Sequence, residues 1–564
     1  MTRPAPLAGA GRVAGAAALI AVLTVVARLA GFGRTAVFTW VVERSDLGGM
    51  YVIANTVPNI IFEIVAGGAL ASLVVPLLAG PVAAGDRRAV AATTGALLTW
   101  TVTLLVPLAV LVALLADPII SVLADARSPA ELAAGARMLR VFAPQLPLYG
   151  VGIVLTGVLQ AHRRFAWPVI APLLSSLTVM VVYLAFGVTE GRGATVAGVS
   201  RAGELVLSGG TTLGVVALSL SLLIPLRRLG LRLRPGYAFS TEARARVGGL
   251  AVAGAVTVTA QQAALVVILN RVSGGPTGSP QVYNLAQTMY LLPWAVLAVP
   301  LAVAAYPTLS AASATGDEDG YRRTLASTVR GVLLFSFLGA AALVGTAEPV
   351  ARFFFGADGI GPAAAAIAGF APGLVGYGLF AVLSRALYAR GATRAATAAI
   401  TTGWLVVPVV AVPLAALLPR ADRVLAVTLA NSVGMLVLGV LLLGAVLRAA
   451  GRPALDGAAR AGGAGLLAAA LAAPAGVVAA RWLASLADGT PTTAEALAQG
   501  MLSGAVVGVV FLAVAWLADR PDLRPLLAGV RRRLGRRRAA PRRGPRSEGV
   551  PPERGGDGKE TVSP

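Results

Sequence analysis

The sequence contains no cysteine, and it has one histidine and one lysine among its 564 residues. Without cysteine there can be no disulfide bond, no thiolate metal site and no cysteine nucleophile. The histidine, His162, stands beside Arg163 and Arg164 and cannot hold a metal ion alone. The sequence therefore predicts no metal site and no bound cofactor. It also lacks the glycine–lysine pattern of Walker A proteins, so ATP hydrolysis by that route is excluded.

Charged residues are scarce as well. They make up 13% of the chain, against about 25% in soluble domains. Hydrophobic residues make up 57%, and the mean hydropathy is +0.79. A membrane-spanning helix needs about 20 mostly apolar residues, and the chain contains about fourteen such runs. We therefore predict an all-α, polytopic membrane protein with about fourteen transmembrane helices.

Short similar sequences recur six predicted helices apart. Residues 150–165 end the fourth predicted helix, and the similar residues 378–394 end the tenth. This spacing favours two six-helix lobes, residues 1–240 and 241–450, followed by two further helices within residues 451–518. Chance similarity among segments rich in alanine, leucine and valine is the alternative. Residues 519–564 cannot build a core, and we predict that they form a disordered basic tail.

The formal net charge of +22 is concentrated in alternate loops and in the tail. Arginine-rich loops are typical of the cytoplasmic side of a membrane protein, so both termini are predicted to be cytoplasmic. The first apolar run lacks a cleavage signal and is predicted to stay in the mature chain. The arginine run at 531–546 is predicted to attract anionic lipids. A protein partner is the next candidate, and no base-reading motif supports nucleic acid.

Two arginines interrupt the first predicted transmembrane helix. A charge at the bilayer centre costs about 2.5 to 3.5 kcal/mol on insertion scales, so such residues usually face a cavity or a partner. Arg28 and Arg34 lie on either side of Gly31 and Gly33. The two glycines are predicted to act as a hinge that lets both guanidinium groups reach one cavity. Snorkelling to the membrane interface is the alternative role for these arginines.

The second predicted helix carries three further candidate residues. Pro58 is predicted to bend the helix, which would place Asn59 on a cavity wall. Glu63 lies one turn beyond Asn59 and on the same face. It either pairs with Arg28 or Arg34, or acts as a protonatable coupling residue.

Amide side chains cluster on the seventh and eighth predicted helices. Gln261 and Gln287 are the candidates for contact with a bound headgroup. The same cluster contains Gln262, Asn270 and Asn284. The alternative is that these amides hold helices together, a contribution of roughly 0.6 kcal/mol each.

Several of these stretches resemble the MurJ/MviN family of proposed lipid II flippases. The sequence ARLAGFGR, followed by VPNIIFEIVAGGALASLVVPLLAG, is similar to the family's first two helices. Residues 160–176, QAHRRFAWPVIAPLLSS, and residues 307–313, PTLSAAS, resemble two further family motifs. The resemblance covers about residues 12–518 and agrees with the predicted helix count.

The resemblance implies both a fold and a function. It implies the fold of the multidrug/oligosaccharidyl-lipid/polysaccharide (MOP) exporters in the bacterial plasma membrane. It implies alternating-access transport of a lipid-linked peptidoglycan precursor, lipid II, to the outer leaflet, with cell-wall synthesis proteins as possible partners. Arg28 and Arg34 match family arginines thought to hold the pyrophosphate. Coupling would come from an ion gradient or the membrane potential.

The chain departs from the family pattern at four charged positions. The family's acid near the start of helix two corresponds to Gly49, and its helix-two arginine to Phe62. A second acid corresponds to Gly67, and the helix-eight arginine to Thr288. These losses leave three alternatives to lipid II transport open. They are export of another lipid-linked glycan or amphiphile, a non-transporting cell-wall scaffold, and a glycosyltransferase. The last is opposed because the outer-loop acids lack a D-x-D spacing, so no enzyme is predicted.

Overall fold

The computed structural model describes residues 8–64, 71–124, 127–238, 241–356, 360–486 and 491–518. All regular secondary structure in these ranges is helical, which confirms the predicted all-α class. Ten helices lie in the first half of the chain: α1 Ala8–Val42, α2 Asp46–Phe62, α3 Ala71–Ala83, α4 Arg87–Leu114, α5 Ala116–Leu123, α6 Pro129–Phe142, α7 Gln145–Ala161, α8 Trp167–Glu190, α9 Arg201–Ser221 and α10 Leu223–Arg227.

Eleven helices follow in the second half. They are α11 Thr241–Ser273, α12 Ser279–Pro293, α13 Val299–Thr315, α14 Glu318–Gly345, α15 Ala347–Phe355, α16 Ile360–Phe370, α17 Gly373–Ala389, α18 Thr393–Leu417, α19 Arg423–Ala450, α20 Ala458–Ser485 and α21 Thr493–Ala518. A π-helical turn, Trp294–Ala298, joins α12 to α13.

Thirteen segments in the described ranges are long and apolar enough to cross a membrane. The sequence predicts about fourteen, and the difference lies in residues 46–83. There α2 has 17 residues and α3 has 13, and the intervening residues 65–70 lie outside the described ranges. Both α2 and α3 pack on α7, and a fourteenth crossing in this region stays a prediction.

The packing of α1–α9 recurs in α11–α19. In the first set α1 packs on α8, α8 on α9, α3 on α7 and α4 on α7. In the second set α11 packs on α18, α18 on α19, α13 on α17 and α14 on α17. The break between α6 and α7 also has its counterpart between α16 and α17. We refer to these two sets as the first and second halves. The residue limits predicted for the lobes, 240 and 450, stay predictions.

The last two helices, α20 and α21, pack on each other and on α14 at the edge of the second half. Small residues allow this close approach. The hydroxyl of Ser503 lies 2.7 Å from the carbonyl oxygen of Gly345 and 2.8 Å from that of Gly476. Such small-residue contacts with a bridging hydroxyl are typical of helix packing in membranes. The predicted tail, residues 519–564, lies outside the described ranges.

The two halves are hydrogen-bonded at one end of the bundle. Because these hydrogen bonds join the two halves, we call this end the closed face. It contains the C-terminus of α1 and the N-termini of α2 and α12. The Gln281 amide donates to the carbonyl of Ser45 at 2.7 Å. The Asn270 amide donates to the carbonyl of Val122 at 2.8 Å. The other end, where α1 begins, carries arginine-rich loops such as residues 85–88, 162–165 and 388–394, and we call it the basic face.

Candidate functional site

A cavity of about 640 Å³ lies between the two halves. One wall is α1, which contributes Arg28 and Arg34, and the other side is formed by α12 and the π-helical turn. Arg28 is exposed and Arg34 is half-buried. We call this space the main cavity. Its remaining wall comes from α7, α8 and α9 through Tyr149, Pro168, Val169, Pro172, Ser175, Ser176 and Leu218.

Both predicted arginines therefore face the same space. Arg34 lies six positions after Arg28, which is about 9 Å along a helix axis. In the described residues neither guanidinium group has a carboxylate within 4 Å, and the walls of this cavity carry no acid. Two cations that have no carboxylate partner among the described residues, on one wall of one cavity, favour the binding of an anion there.

Gly31 and Gly33 lie on α1 between the arginines, and α1 runs through both as one continuous helix. Gly31 lines the main cavity, and an added Cβ there would meet nothing within 4 Å. At Gly33 an added Cβ would lie 3.6 Å from the sulfur of Met180. The two arginines thus reach one cavity from an unbroken helix, and the hinge role of the glycines stays a prediction.

A smaller space of about 160 Å³ adjoins the main cavity. We call it the polar chamber. Arg34 and Thr35 line both spaces, so Arg34 stands at the junction. The rest of its wall comes from α1, α2, α8, α9 and α12 through Phe38, Tyr51, Val52, Asn55, Thr56, Asn59, Tyr183, Thr211 and Asn284.

Asn59 lies on the wall of the polar chamber, and its amide donates to the backbone carbonyl of Asn55 at 2.9 Å. Pro58 is buried within α2, which continues to Phe62. Glu63 follows at the end of this helix and is exposed. No ion pair joins Glu63 to Arg28 or Arg34 in the described ranges. The proposed pairing is therefore not formed in this conformation, and the coupling role stays a prediction.

The two candidate glutamines lie away from both spaces. Gln287 donates to the hydroxyl of Tyr283 at 3.2 Å on its own helix, α12. Gln261 is half-buried on α11 and contributes to neither wall. Asn284, from the same amide cluster, does line the polar chamber. The Gln287 bond lies within one helix and joins no two helices, so headgroup contact and helix–helix contact both stay predictions for Gln287 and Gln261.

Three of the four departures from the family pattern can be placed. Phe62 packs against Tyr149 with the two rings tilted by 42° and their centroids 4.7 Å apart. Thr288 lines the main cavity, and its hydroxyl donates to the carbonyl of Asn284 at 2.8 Å. Gly49 is buried next to Gln281. Gly67 lies outside the described ranges. The main cavity therefore keeps two arginines where the family pattern has more charge.

The walls also contain hydroxyl-bearing residues that the sequence did not predict. Tyr51 lies at the centre of this group, since its hydroxyl is 2.7 Å from that of Tyr183 and 2.7 Å from that of Thr211. These three residues come from α2, α8 and α9, which are distant in sequence. Asn55 was detectable, because it lies one helical turn before Asn59 and shares its face.

A bundle of two similarly packed halves, with a cationic cavity between them and thirteen segments in the described ranges able to cross a membrane, has the architecture of the MOP-exporter fold. Solved structures agree with this class. An inward closed conformation of lipid II flippase MurJ matches with a TM-score of 0.68 and 19% identity, covering 88% of this chain and 98% of that one. An inward-facing multidrug resistance MATE transporter of the MOP superfamily matches with a TM-score of 0.59 and 15% identity, covering 76% and 94%.

Sequence comparison identifies the family within this class. The family model described as "Lipid II flippase MurJ" matches residues 45–486. The chain therefore belongs to the MurJ family, as its motifs suggested, and the family is one of transporters, not of enzymes.

Two relatives carry the description "Probable lipid II flippase MurJ". The one from Rhizobium meliloti is 24% identical over 63% of this chain, and the one from Synechocystis sp. is 27% identical over 40%. The matched regions span 66% and 43% of the lengths of those relatives.

Proposed function

We propose that this protein moves lipid II, a polyprenyl-pyrophosphate-linked peptidoglycan precursor, from the inner to the outer leaflet of the bacterial plasma membrane. The observation that carries this proposal is that Arg28 and Arg34, which have no carboxylate partner among the described residues, lie on one wall of a cavity between two halves. A guanidinium group stays charged and matches phosphate oxygens with two parallel hydrogen bonds. A pyrophosphate would compensate both cations in a space where an acid is absent from the described walls.

Transport proceeds by alternating access in this proposal. The positive-inside rule places the basic face, and with it both termini, in the cytoplasm. The closed face then lies on the outer side of the membrane. Cross-half hydrogen bonds from Gln281 and Asn270 at that face support a conformation that admits substrate from the cytoplasm. Breaking these bonds while the halves close at the basic face would release the headgroup outside.

The driving force is proposed to come from the membrane potential or a coupling ion. A charge that crosses the whole field gains about 2.3 kcal/mol per 100 mV. Glu63 is the candidate for reversible protonation, because it is an exposed acid at the end of α2 in this conformation. We further propose that cell-wall synthesis proteins and anionic lipids, the latter at the basic tail, are partners of the chain.

A second function, export of another polyprenyl-linked glycan, is favoured by one specific observation. Phe62 and Thr288 occupy positions where the family pattern has arginines, so the main cavity offers less positive charge. A headgroup with fewer anionic groups than lipid II would suit such a cavity. The pyrophosphate site at Arg28 and Arg34 is common to both functions.

Reconstituted protein tests the pyrophosphate site. Liposomes with fluorescent lipid II in one leaflet report transfer through accessibility to a membrane-impermeant quencher. We expect Arg28→Ala to reduce the transfer rate about tenfold or more, because a charge-assisted bond to phosphate contributes about 1.5–3 kcal/mol. Arg163→Ala, a change in a loop of the basic face, is the matched control and should transfer normally. Normal transfer by Arg28→Ala would overturn the site assignment.

A further inference from the structure

A second basic cavity lies at the basic face, on the surface of the first half. Its volume is about 550 Å³, and its described wall shares no residue with the main cavity or the polar chamber. The wall is formed by the first turns of α4 and by the segment that follows α10, residues 228–238. It contains four arginines and no acid: Arg87, Arg88, Ala91, Ala92, Gly230, Leu231, Arg232 and Arg234. We call this cavity the arginine pocket.

The segment after α10 has no regular secondary structure, and its burial alternates along the chain. Leu231 and Leu233 pack against a hydrophobic cluster of the first half, whereas Arg232 and Arg234 are exposed. The alternation places both arginines on the outward side of the segment. A close approach to α4 holds this arrangement, since a Cβ added at Gly95 would lie 2.2 Å from the carbonyl oxygen of Arg234.

Two exposed aromatic residues indicate where the membrane surface lies relative to this pocket. The indole N–H of Trp100 donates to the carbonyl of Tyr237 at 3.1 Å, and the two rings pack edge-on with centroids 5.3 Å apart. Exposed tryptophan and tyrosine side chains are typical of the membrane–water interface. Further along α4 the exposed surface is apolar, as at Leu104. The arginine pocket, on the other side of the aromatic pair, therefore lies at the level of the lipid headgroups.

The four arginines of the pocket have no carboxylate partner among the described residues. The neighbouring acid, Asp86, accepts hydrogen bonds from the backbone N–H groups of Arg88 and Ala89, both at 3.0 Å, and so caps α4 instead. Arg87 and Arg88 lie in the first turn of α4, where the positive end of the helix dipole disfavours cations. A bound anion would reduce this repulsion and the repulsion among the four guanidinium groups.

The second half has a cavity at the corresponding place, but its arginines are engaged differently. It lies between the start of α14, the counterpart of α4, and residues 452–456 after α19. Arg322 lies 3.7 Å from the carboxylate of Glu318, and Arg330 donates to the backbone carbonyl of Asp456 at 2.8 Å. These two arginines serve contacts within the protein. The arginine pocket of the first half has no such contacts among the described residues, so its guanidinium groups can serve a ligand.

We propose that the arginine pocket binds the phosphate of an anionic phospholipid in the leaflet at the basic face, with Arg232 and Arg234 as ligands. Guanidinium groups match phosphate oxygens with parallel hydrogen bonds, and basic pockets beside transmembrane helices suit acidic headgroups. The exposed apolar surface of α4 beyond Trp100 provides contacts for the acyl chains. A free phosphate would leave that surface unused, which favours a lipid. The site is separate from the main cavity and from the basic tail.

Local lipid selectivity of the full chain in nanodiscs tests this site. Because the natural chain has no cysteine, Leu104→Cys provides a single position for a fluorophore on the exposed surface of α4. The probes are traces of phosphatidylglycerol or phosphatidylcholine with a nitroxide quencher on the acyl chain, in nanodiscs of phosphatidylcholine. With wild-type arginines, phosphatidylglycerol should be preferred about tenfold or more. Arg232→Ala should lower the preference about fivefold, as expected for one arginine near a membrane surface, and adding Arg234→Ala should abolish it.

Arg323→Ala combined with Arg452→Ala is the matched control, because these exposed arginines line the cavity of the second half. The preference reported at Leu104 should be unchanged in this control. An equal fall in the control would assign the preference to the net charge of the basic face and overturn the pocket. Equal quenching by the two lipids with wild-type arginines, or an unchanged preference without Arg232 and Arg234, would overturn it as well.

Competition separates a lipid from a soluble phosphate. Millimolar inorganic pyrophosphate at constant ionic strength should leave the preference for phosphatidylglycerol unchanged. Loss of the preference under these conditions would show that the pocket takes soluble phosphate, and would overturn the lipid as its ligand. If the double alanine variant does not fold, Arg232→Gln with Arg234→Gln removes both charges and keeps two polar side chains, with the same expected result.

Discussion

Gly48 and Gln281 touch where the two halves meet at the closed face. The Gln281 amide nitrogen donates to the Ser45 carbonyl at 2.7 Å. A Cβ added at Gly48 would lie 2.3 Å from that nitrogen and 2.5 Å from Cγ1 of Val42. Because real Cβ contacts are never that short, Gly48→Ala must displace the Gln281 side chain. The substitution therefore removes a hydrogen bond that holds the closed face together.

The neighbouring Gly49 provides a matched control. A Cβ added there would lie 3.5 Å from the side-chain oxygen of Gln281 and 3.7 Å from Pro280, which are ordinary contacts. Both glycines lie in α2, so replacing either by alanine changes the intrinsic helix propensity by the same amount, about 1 kcal/mol. The difference between the two variants therefore reports the close contacts of the Gly48 Cβ with Gln281 and with Val42.

The loss of one neutral hydrogen bond costs about 1 kcal/mol. The hydrogen bond from Gln281 to Ser45 exists only in the conformation in which the two halves meet at the closed face, so only that conformation is destabilised. Gly48→Ala should therefore shift the ratio of the two access states about fivefold toward the state that is open at this face. Gly49→Ala should leave the ratio unchanged.

Electron paramagnetic resonance can measure this ratio, because the natural chain has no cysteine to interfere with labelling. Ala130 and Ala421 are exposed, lie at the closed face, and belong to the first and second halves respectively. Spin labels on Ala130→Cys and Ala421→Cys report the distance between the halves. We expect a longer-distance population to grow in Gly48→Ala. Identical distance distributions in Gly48→Ala and Gly49→Ala would refute the role assigned to this contact.

Two further predictions concern stability. A Cβ added at Gly376 would lie 1.9 Å from the backbone oxygen of Met435, so Gly376→Ala should abolish the peak of folded protein on size-exclusion chromatography. In the control, Gly444→Ala, the added Cβ meets nothing within 4 Å, and this variant should fold normally. Equal yields of the two variants would contradict the packing of α17 on α19. Arg137 makes a bidentate ion pair with the buried Glu204, from Nε to Oε1 at 2.9 Å and from Nη2 to Oε2 at 2.6 Å. Arg137→Leu should therefore lower the unfolding temperature, because it leaves a buried carboxylate unpaired. Adding Glu204→Gln should recover part of the loss, and no recovery would contradict this reasoning.

The helical class and approximate number of crossings were predictable from the sequence, because hydrophobic length alone identifies membrane-spanning segments. The second predicted helix is the exception. The structure contains two helices there, α2 and α3, and hydropathy along the sequence did not predict where α2 ends. Pro58 lies inside α2, which continues to Phe62, and the bend predicted at Pro58 stays a prediction.

The charged residues of the candidate site could be predicted from the sequence. Arg28 and Arg34 were identified because a cation inside an apolar segment is costly, and both line the main cavity. Gln287 was chosen on the same kind of reasoning; its amide bonds to Tyr283 on its own helix, and its contact with a headgroup stays a prediction. Uncharged wall residues such as Tyr51 and Thr211 carry no such signal in the sequence, since many transmembrane helices contain them.

The central claim is that this chain transports lipid II, and complementation tests it most directly. A bacterium is depleted of its own lipid II flippase, this chain is expressed, and lipid II exposed on the outer leaflet is measured. The account predicts restored exposure with the wild-type chain and loss of it with Arg28→Ala at equal membrane abundance. Absence of exposure with abundant, membrane-inserted wild-type protein would contradict lipid II as the substrate.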